Sequence, residues 1–250
     1  MTRALSFGRG AGDYDRVRPE YSPEALHLVT ERLGLGPGSE VLDLAAGTGK
    51  LTRPLVERFS RVTAVEPDPG MRAVLSQATT CYLVLEGRAE AIPLQDESVD
   101  AVFVGQAFHW FSTAEALAEI ARVLRPCGGL VLIWNAWATP ETGLPEAAEK
   151  IIRGVLDRPS EPVRDRRDWQ QDFDASPFAP LREEEIPIRL LDYTGEDYVT
   201  LMLSTSPFGV LPSDELAAVE ADLRRLVEGS YRVPVETRLL WTRLPGVGAD

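Results

Sequence analysis

The chain has 250 residues, of which 44% are hydrophobic and 26% are charged, and its formal net charge is −13. This length and balance suit one α/β domain, or a domain with a modest cap, that can bury a sizeable core. A nucleic acid or an anionic membrane surface is an unfavourable partner for so acidic a chain, whereas a small neutral or cationic molecule is compatible with it.

The first predicted element is an amphipathic helix, because Ser22 and Pro23 are typical of an N-cap and a first helical position. Alternating apolar runs and helical patterns follow, which predicts a doubly wound α/β fold. The predicted strands of this region lie at about 40–44, 61–65, 82–85, 99–104 and 130–134. The Ser-x-x-Glu spacing of Ser112 and Glu115 is that of a capping box and predicts the start of the helix before the last of these strands.

After about residue 135 the alternation changes. A strand is predicted at about 186–191, a strongly patterned helix at about 214–228 and a final strand at about 235–244. The segments 137–182 and 192–230 interrupt the sheet pattern. We therefore expect residues 1–250 to form a single domain in which these two segments are cap insertions.

The candidate ligand-binding residues lie at the carboxyl ends of the first two predicted strands. The first strand contains Asp43 and runs into a turn with Gly47 and Gly49, and the second strand ends on Glu66. Glycines at a strand-to-helix turn let the backbone approach a ligand closely. A carboxylate roughly 20 residues after the first strand lies at the tip of the neighbouring strand, where it can accept hydrogen bonds from a ribose. The sequence therefore predicts a nucleoside pocket.

Five motifs resemble those of class I S-adenosylmethionine-dependent methyltransferases in their order and spacing. They are Asp43–Gly49, Val65–Asp68, Glu90–Leu94, Gly105–Phe111 and Arg122–Pro126. The similarity is greatest to the small-molecule branch that includes ubiquinone-biosynthesis and trans-aconitate methyltransferases, and it covers about residues 10–135. It implies a Rossmann-like, doubly wound, seven-stranded and mostly parallel sheet with an antiparallel C-terminal strand. It also implies S-adenosylmethionine as cofactor, S-adenosylhomocysteine as product, no metal and a small-molecule methyl acceptor.

The resemblance assigns roles in cofactor binding residue by residue. Asp43 holds the methionine amino group, and Glu66 binds the ribose hydroxyls. Tyr14 and Arg18 belong to an N-terminal lid, in which Tyr14 covers the cofactor and Arg18 pairs with its carboxylate. The remaining expected cofactor contacts are the loop residues Ala45, Gly47, Thr48 and Gly49, then Pro67 and Met71 near the ribose and adenine, Ala89 and Glu90 along the adenine, and Gln106.

The sequence departs from the family pattern at three positions. Ala45 replaces the usual first glycine of the loop, which is tolerable if the residue keeps a negative φ. Arg88 stands where an acid often contacts the adenine amino group. Cys127 replaces a glycine in the turn before the fifth strand, away from the pocket.

The expected acceptor side contains Tyr21, His109, Trp110 and Trp137. His109 follows the fourth strand and so lies at the carboxyl edge of the sheet, where open α/β folds bind ligands. It is a candidate to orient the acceptor or to take a proton from a hydroxyl. A structural or positioning role is favoured over that of a general base.

Two other functions fit part of the pattern. A nicotinamide-dependent oxidoreductase has a similar scaffold, but it needs Gly-x-Gly-x-x-Gly. Here the motif lacks its first glycine if it begins at Ala45, and it has Thr52 in place of the third glycine if it begins at Gly47. A non-catalytic S-adenosylmethionine-binding protein is the other alternative.

Cys81 and Cys127 form no CxxC pair, and no secretory signal or bilayer-spanning apolar run is present, so we expect a cytoplasmic protein. We also expect a monomer or a homodimer.

Overall fold

The structure is a computed structural model that describes residues 15–79, 82–137, 139, 141, 143–158 and 166–246. The chain divides into two compact units. The sheet unit comprises Glu20–Asn135, Val163–Ile186 and Thr237–Asp250. The helical unit comprises Met1–Pro19, Ala136–Pro162 and Pro187–Glu236. The prediction of one domain with insertions at 137–182 and 192–230 stays a prediction.

The elements follow one another in an alternating order up to the fifth strand. They are α1 (Pro23–Leu33), β1 (Glu40–Leu44), α2 (Thr52–Val56), β2 (Arg61–Val65), α3 (Pro69–Ala78), β3 (Leu83–Leu85), β4 (Val99–Gly105), a 3-10 helix (Phe108–Trp110), α4 (Ala114–Val123) and β5 (Leu124–Trp137). The rest of the chain forms α5 (Glu146–Leu156), α6 (Arg166–Asp174), β6 (Arg182–Glu184), β7 (Arg189–Thr194), α7 (Gly195–Leu203), α8 (Ser206–Gly209), α9 (Ser213–Leu226) and β8 (Ser230–Arg243).

The strands form a mixed sheet in the order β3-β2-β1-β4-β5-β8-β6, with β7 paired to β8 as an eighth strand. Strands β1 to β5 pair in parallel, and β8 is antiparallel to both β6 and β7. The predicted Rossmann-like, mostly parallel sheet with an antiparallel C-terminal strand is confirmed, and the sheet has eight strands rather than seven.

Helices cover both faces of the sheet unit. Side chains of a strand alternate between the two faces, so Val41 of β1 packs in the cluster that contains Leu26 and Val29 of α1. Its neighbour Leu42 packs in the cluster that contains Leu117 and other α4 residues. This is the layering of a doubly wound fold, in which both faces of a parallel sheet are buried.

The predicted helix caps are partly confirmed. Ser22 caps α1, since its Oγ accepts a hydrogen bond from the Ala25 N–H at 3.3 Å. The capping box at Ser112 is wrong by one residue, because α4 is capped by the side chain of Thr113, which accepts from the Ala116 N–H at 3.2 Å. Both residues carry a hydroxyl, and the backbone of Thr113 has the extended conformation that is typical of an N-cap.

Strand β5 is much longer than predicted. It begins at Leu124, directly after α4, and so includes Cys127, which the sequence placed in a turn before the strand. The pairing with β4 shifts register between Val99 and Ala101, and Cys127 has a φ of +66°. Cys127 thus occupies a left-handed position, which explains why the family has a glycine there.

The helical unit has its own core, which includes Val17, Ile152, Leu201, Phe208, Leu223 and Tyr231. Arg16 and Val17, which precede α1, belong to this helical unit. The Tyr193 hydroxyl donates to the Val17 carbonyl at 3.0 Å, and Arg16 pairs with Asp197. Of the helices that the structure describes, none is both long and apolar enough to cross a bilayer.

Candidate functional site

The carboxyl ends of β1 and β2 meet at one edge of the sheet unit. The strands are parallel and in register from Glu40 with Arg61 to Leu44 with Val65. The Glu66 carboxylate, which is 6% exposed, accepts the Gly47 N–H at 2.9 Å through Oε2 and the Asp68 N–H at 2.9 Å through Oε1. The glycine loop and the acidic strand end therefore touch, as the sequence predicts for a shared pocket.

The two loop glycines serve different purposes. Gly47 has a φ of +60°, and a Cβ at this position would find no heavy atom within 4 Å, so this part of the backbone faces open space. Gly49 has a φ of +87°, and a Cβ there would lie 2.5 Å from Leu75 Cδ1 of helix α3. Gly47 is therefore available for a close ligand approach, whereas Gly49 is required by packing.

The condition of a negative φ at Ala45 is not met, because its φ is +58°. The next residue, Ala46, donates its N–H to the Val65 carbonyl at 3.1 Å and accepts the Gly49 N–H at 2.9 Å. These bonds hold the chain in a turn that needs a left-handed residue directly after β1. Alanine adopts this conformation at a cost of about 1–2 kcal/mol. The Thr48 side chain in the same loop is buried.

Asp43 is buried beneath this loop. The Thr52 hydroxyl donates to Asp43 Oδ2 at 2.6 Å, whereas Oδ1 is buried and has no hydrogen-bond partner among the described residues. Burial raises the pKa of the Asp43 carboxyl to about 7, the Thr52 hydrogen bond opposes the shift, and the negative charge of Glu66 adds to it. A buried acceptor without a donor is costly. The orphaned oxygen therefore fits a ligand with a positively charged donor.

The Glu66 carboxylate also has unused hydrogen-bond acceptor positions for a ligand. Burial raises its pKa, and the N–H groups of Asp68 and Gly47 counteract the shift by stabilising the charged form. An ionised carboxylate has about four lone-pair positions, so two remain after these bonds. Two acceptor positions match the two hydroxyls of a ribose.

Arg72, which the sequence analysis missed, fixes the turn after β2. It donates to the carbonyls of Glu66 at 2.8 Å and Pro67 at 2.7 Å. Asp68 caps α3 by accepting the Met71 N–H at 2.9 Å, and the Met71 side chain is buried. Pro67 and Met71 thus belong to the turn and first helical residues that follow Glu66, and their position near the ribose and adenine stays a prediction. An arginine one turn into a helix carries no local sign that it will bond back to the strand end.

The turn after β3 contains the residues expected along the adenine. Ala89 is buried in the sheet core, while Glu90 and Arg88 are exposed. Arg88 and Ala91 form an isolated bridge, and the Ala91 N–H donates to the Arg88 carbonyl at 3.1 Å. Arg88 therefore contributes its backbone to this turn.

Gln106 follows β4 with a φ of +57°. Its N–H donates to the Ile133 carbonyl at 2.9 Å, and its side-chain Nε2 donates to the Asn135 carbonyl at 2.8 Å. Tyr21 packs here too: a Cβ on Gly105 would lie 2.4 Å from the Tyr21 hydroxyl oxygen. The Tyr21 ring, expected on the acceptor side, is 6% exposed and belongs to the core cluster with Leu51.

His109 and Trp110 form the 3-10 helix after β4 and are half-buried, with ring centroids 4.7 Å apart. Burial lowers the pKa of His109 to about 4, so the imidazole is neutral at pH 7. Behind them the buried Phe108 ring meets Trp169 edge-on at 5.4 Å, and Trp134 stacks on Trp169 at 5.2 Å. Trp169 of α6 is distant in sequence, and no motif pointed to it.

Two further predicted residues, Arg18 and Trp137, lie in the helical unit. The Arg18 guanidinium lies 4.8 Å from the centroid of the Trp137 ring. It also donates to the Ser204 hydroxyl at 3.0 Å and to the Ser204 carbonyl at 2.8 Å. The structure thus brings Arg18 and Trp137 together. Tyr14 lies outside the described residues.

Comparison with known proteins gives a consistent family. The profile described as "Methyltransferase domain" matches residues 42–132. The chain is 47% identical over 163 residues to an uncharacterized methyltransferase of Mycobacterium tuberculosis, over 65% of this chain and 63% of that protein. It is 36% identical over 232 residues to an uncharacterized methyltransferase-like protein of Schizosaccharomyces pombe, over 91% of this chain and 88% of that protein.

A solved structure shows the same fold. A protein from Anaeromyxobacter dehalogenans, described as a proposed type II methyltransferase, superposes with a TM-score of 0.60 at 24% identity, over 92% of this chain and 99% of that one. With the strand order and the touching strand ends, these relatives establish that the chain belongs to the class I S-adenosylmethionine-dependent methyltransferases. Within the described part of the chain, no group of His, Cys, Asp and Glu side chains is arranged to hold a metal ion.

Proposed function

We propose that this protein transfers the methyl group of S-adenosylmethionine to a small-molecule acceptor. The observation that carries the proposal is the 2.9 Å hydrogen bond between the Gly47 N–H and Glu66 Oε2. It joins a backbone turn open to close approach with a carboxylate that has acceptor capacity left for a sugar. When bound, the cofactor supplies a methyl group on a positively charged sulfur, which is electrophilic without further activation.

Three residues of the sheet unit bind the cofactor in this proposal. Glu66 accepts hydrogen bonds from the ribose hydroxyls. Asp43 Oδ1, buried and without a described partner, accepts the methionine ammonium group. Gly47 lets the loop backbone approach, since a side chain here would project into open space that the ligand needs. The other predicted contacts in the sheet unit are Ala45, Thr48, Gly49, Pro67, Met71, Ala89, Glu90 and Gln106.

The acceptor lies against His109 and Trp110 in this proposal. Because the His109 pKa is lowered to about 4, the neutral imidazole accepts a hydrogen bond from the acceptor and is a weak base. A positioning role therefore suits it better than proton abstraction. Holding two reactants at attack distance can lower a barrier by roughly 7–11 kcal/mol, which is the main contribution that this site offers. Tyr14, Arg18, Tyr21 and Trp137 stay predicted site residues.

The oxidoreductase alternative is disfavoured by Thr52. In a dinucleotide site the third glycine permits close contact between helix and strand. Here Thr52 at that position uses its hydroxyl to bond Asp43 inside the first strand. The expected cytoplasmic location, the monomeric or homodimeric state and the exclusion of nucleic acid and membrane as partners stay predictions.

Calorimetric titration with S-adenosylhomocysteine and with NADH tests the proposal. We expect binding of the first ligand and none of the second. Glu66→Ala should abolish binding, whereas Glu40→Ala, which removes a carboxylate paired with Arg61 and Arg125 at the start of β1, should leave it unchanged. Wild-type affinity in Glu66→Ala would remove this residue from the site.

Catalysis needs a second experiment. The protein is incubated with isotopically labelled S-adenosylmethionine and a metabolite extract, and labelled products are sought by mass spectrometry. A methylated small molecule is expected. Binding of S-adenosylhomocysteine without any methylated product across broad extracts would instead favour the non-catalytic alternative.

A further inference from the structure

Asn135, near the carboxyl end of β5, joins three segments that are distant in sequence. Its side chain is buried, and its Nδ2 donates to the Glu20 carbonyl at 3.2 Å. Its Oδ1 accepts the Thr237 hydroxyl of β8 at 2.9 Å. Its backbone carbonyl accepts Gln106 Nε2 at 2.8 Å. All four residues belong to the sheet unit.

The first of these segments is the end of β4. Gln106 has a φ of +57°, a conformation that a glutamine adopts only when its surroundings impose it. Two hydrogen bonds to β5 do so, one from its N–H to Ile133 and one from its side chain to Asn135. The position of Gln106 therefore depends on the position of Asn135.

The second segment continues to the glycine loop. The Glu20 carboxylate accepts Lys50 Nζ at 2.8 Å and lies 3.5 Å from Arg53 Nη2. Lys50 directly follows Gly49, so Glu20 links Asn135 to the helical end of the loop. The neighbouring Tyr21 ring packs on Gly105 at the end of β4. One hydrogen-bonded path thus connects the loop after β1 with the carboxyl ends of β4 and β5.

We propose that Asn135 is a positioning residue of the cofactor site, which holds Gln106 and the Glu20–Tyr21 segment in place at the carboxyl edge of the sheet. This inference rests on the proposed function. The position needs a side chain with one donor and one acceptor, because it faces a carbonyl on one side and a hydroxyl on the other. Asparagine supplies both without a charge.

Two variants remove the interaction in different ways. Asn135→Ala deletes both side-chain bonds, and Thr237→Val deletes only the hydroxyl donor while keeping the shape of the side chain. The matched control is Thr242→Val in the same strand, because the buried Thr242 hydroxyl donates to the Ala179 carbonyl away from Gln106. Thr237→Ser keeps the hydroxyl and serves as the conservative replacement.

Affinity for S-adenosylhomocysteine is measured by calorimetry, with the melting temperature recorded for every variant. Loss of one hydrogen bond corresponds to about a fivefold change in an equilibrium constant, so we expect a dissociation constant about fivefold higher in Thr237→Val and higher still in Asn135→Ala. Thr237→Ser should bind like the wild type. Thr242→Val should lose as much thermal stability as Thr237→Val without losing affinity.

Amide hydrogen exchange of the ligand-free protein separates this inference from the proposed function. Peptides covering residues 105–111 should exchange faster in Asn135→Ala than in the wild type, and should be unchanged in Thr242→Val. Equal loss of affinity in Thr237→Val and Thr242→Val, or unchanged exchange at 105–111 in Asn135→Ala, would overturn the positioning role. Absence of binding by the wild type would instead contradict the proposed function, and the exchange result would still decide whether Asn135 positions Gln106.

Discussion

The affinity for S-adenosylhomocysteine should increase with pH around neutrality if Asp43 binds its ammonium group. The Asp43 carboxyl has a pKa raised from 3.8 to about 7 by burial. A neutral carboxylic acid offers little attraction to a cation, so the proton must leave when the ligand binds. About one tenth of the protein has Asp43 ionised one unit below this pKa, and about nine tenths one unit above it. Affinity should therefore rise about tenfold between pH 6 and pH 8, or about 1.4 kcal/mol.

Calorimetry measures this linkage directly. Titrations at pH 6 in two buffers with different ionisation enthalpies should show release of close to one proton for each ligand bound, and this release should decrease towards pH 8. His109, with a pKa lowered to about 4, does not titrate in this range.

The control variant is Asp43→Asn, which cannot ionise but retains an oxygen for the Thr52 hydroxyl. Its affinity should be lower at pH 8 and should vary less with pH, because any ionisation of the ligand itself is common to both proteins. The same pH slope and the same proton release in both proteins would refute the role of Asp43.

The other predictions concern stability and the loop. Because the pKa of Asp43 is raised, its contribution to the free energy of unfolding of the ligand-free protein is complete below pH 4 and is lost as pH rises through about 7. The melting temperature of Asp43→Asn relative to the wild type should therefore increase from pH 5 to pH 8. Gly49→Ala should destabilise the fold by about 3 kcal/mol, since its Cβ would meet Leu75, and thermal melts would show a drop of several degrees. Gly47→Ala should cost only about 1 kcal/mol and yet weaken S-adenosylhomocysteine binding, and equal losses of stability in the two glycine variants would contradict this distinction. Cys127→Gly should raise the melting temperature by about 2–4 °C by removing left-handed strain, whereas Cys127→Ala, which keeps a Cβ there, should not.

The elements that could be predicted are those with a clear local pattern of apolar and polar residues. Strands β1, β2 and β4 are short apolar runs, and their ends could be located to within a residue. The meeting of Gly47 and Glu66 followed from the parallel pairing of neighbouring strands, which places both carboxyl ends at one edge.

Predictions from the local pattern were wrong where hydrogen bonds between distant segments determine the backbone conformation. Ala45 ordinarily prefers a negative φ, and the hydrogen bonds of Ala46 with Val65 of the next strand and with Gly49 hold it at the opposite sign. A turn containing Cys127 was predicted before a strand at about 130–134, but strand β5 begins at Leu124 and pairs with β4 on both sides of that turn. The contacts of Asn135 and Trp169 could not be predicted for the same reason, because their partners are distant along the chain and no periodic pattern marks them.

Ala45 and Gln106 have a further consequence for how a ligand enters. They directly follow β1 and β4, two strands that pair with each other, and both are left-handed without being glycine. Folding places both residues in this unfavourable conformation, which costs about 1–2 kcal/mol for each residue. The hydrogen bonds from the Ala46 N–H to Val65 and from the Gln106 N–H to Ile133 hold both turns in this conformation. An incoming molecule therefore does not have to supply the free energy that these two conformations cost.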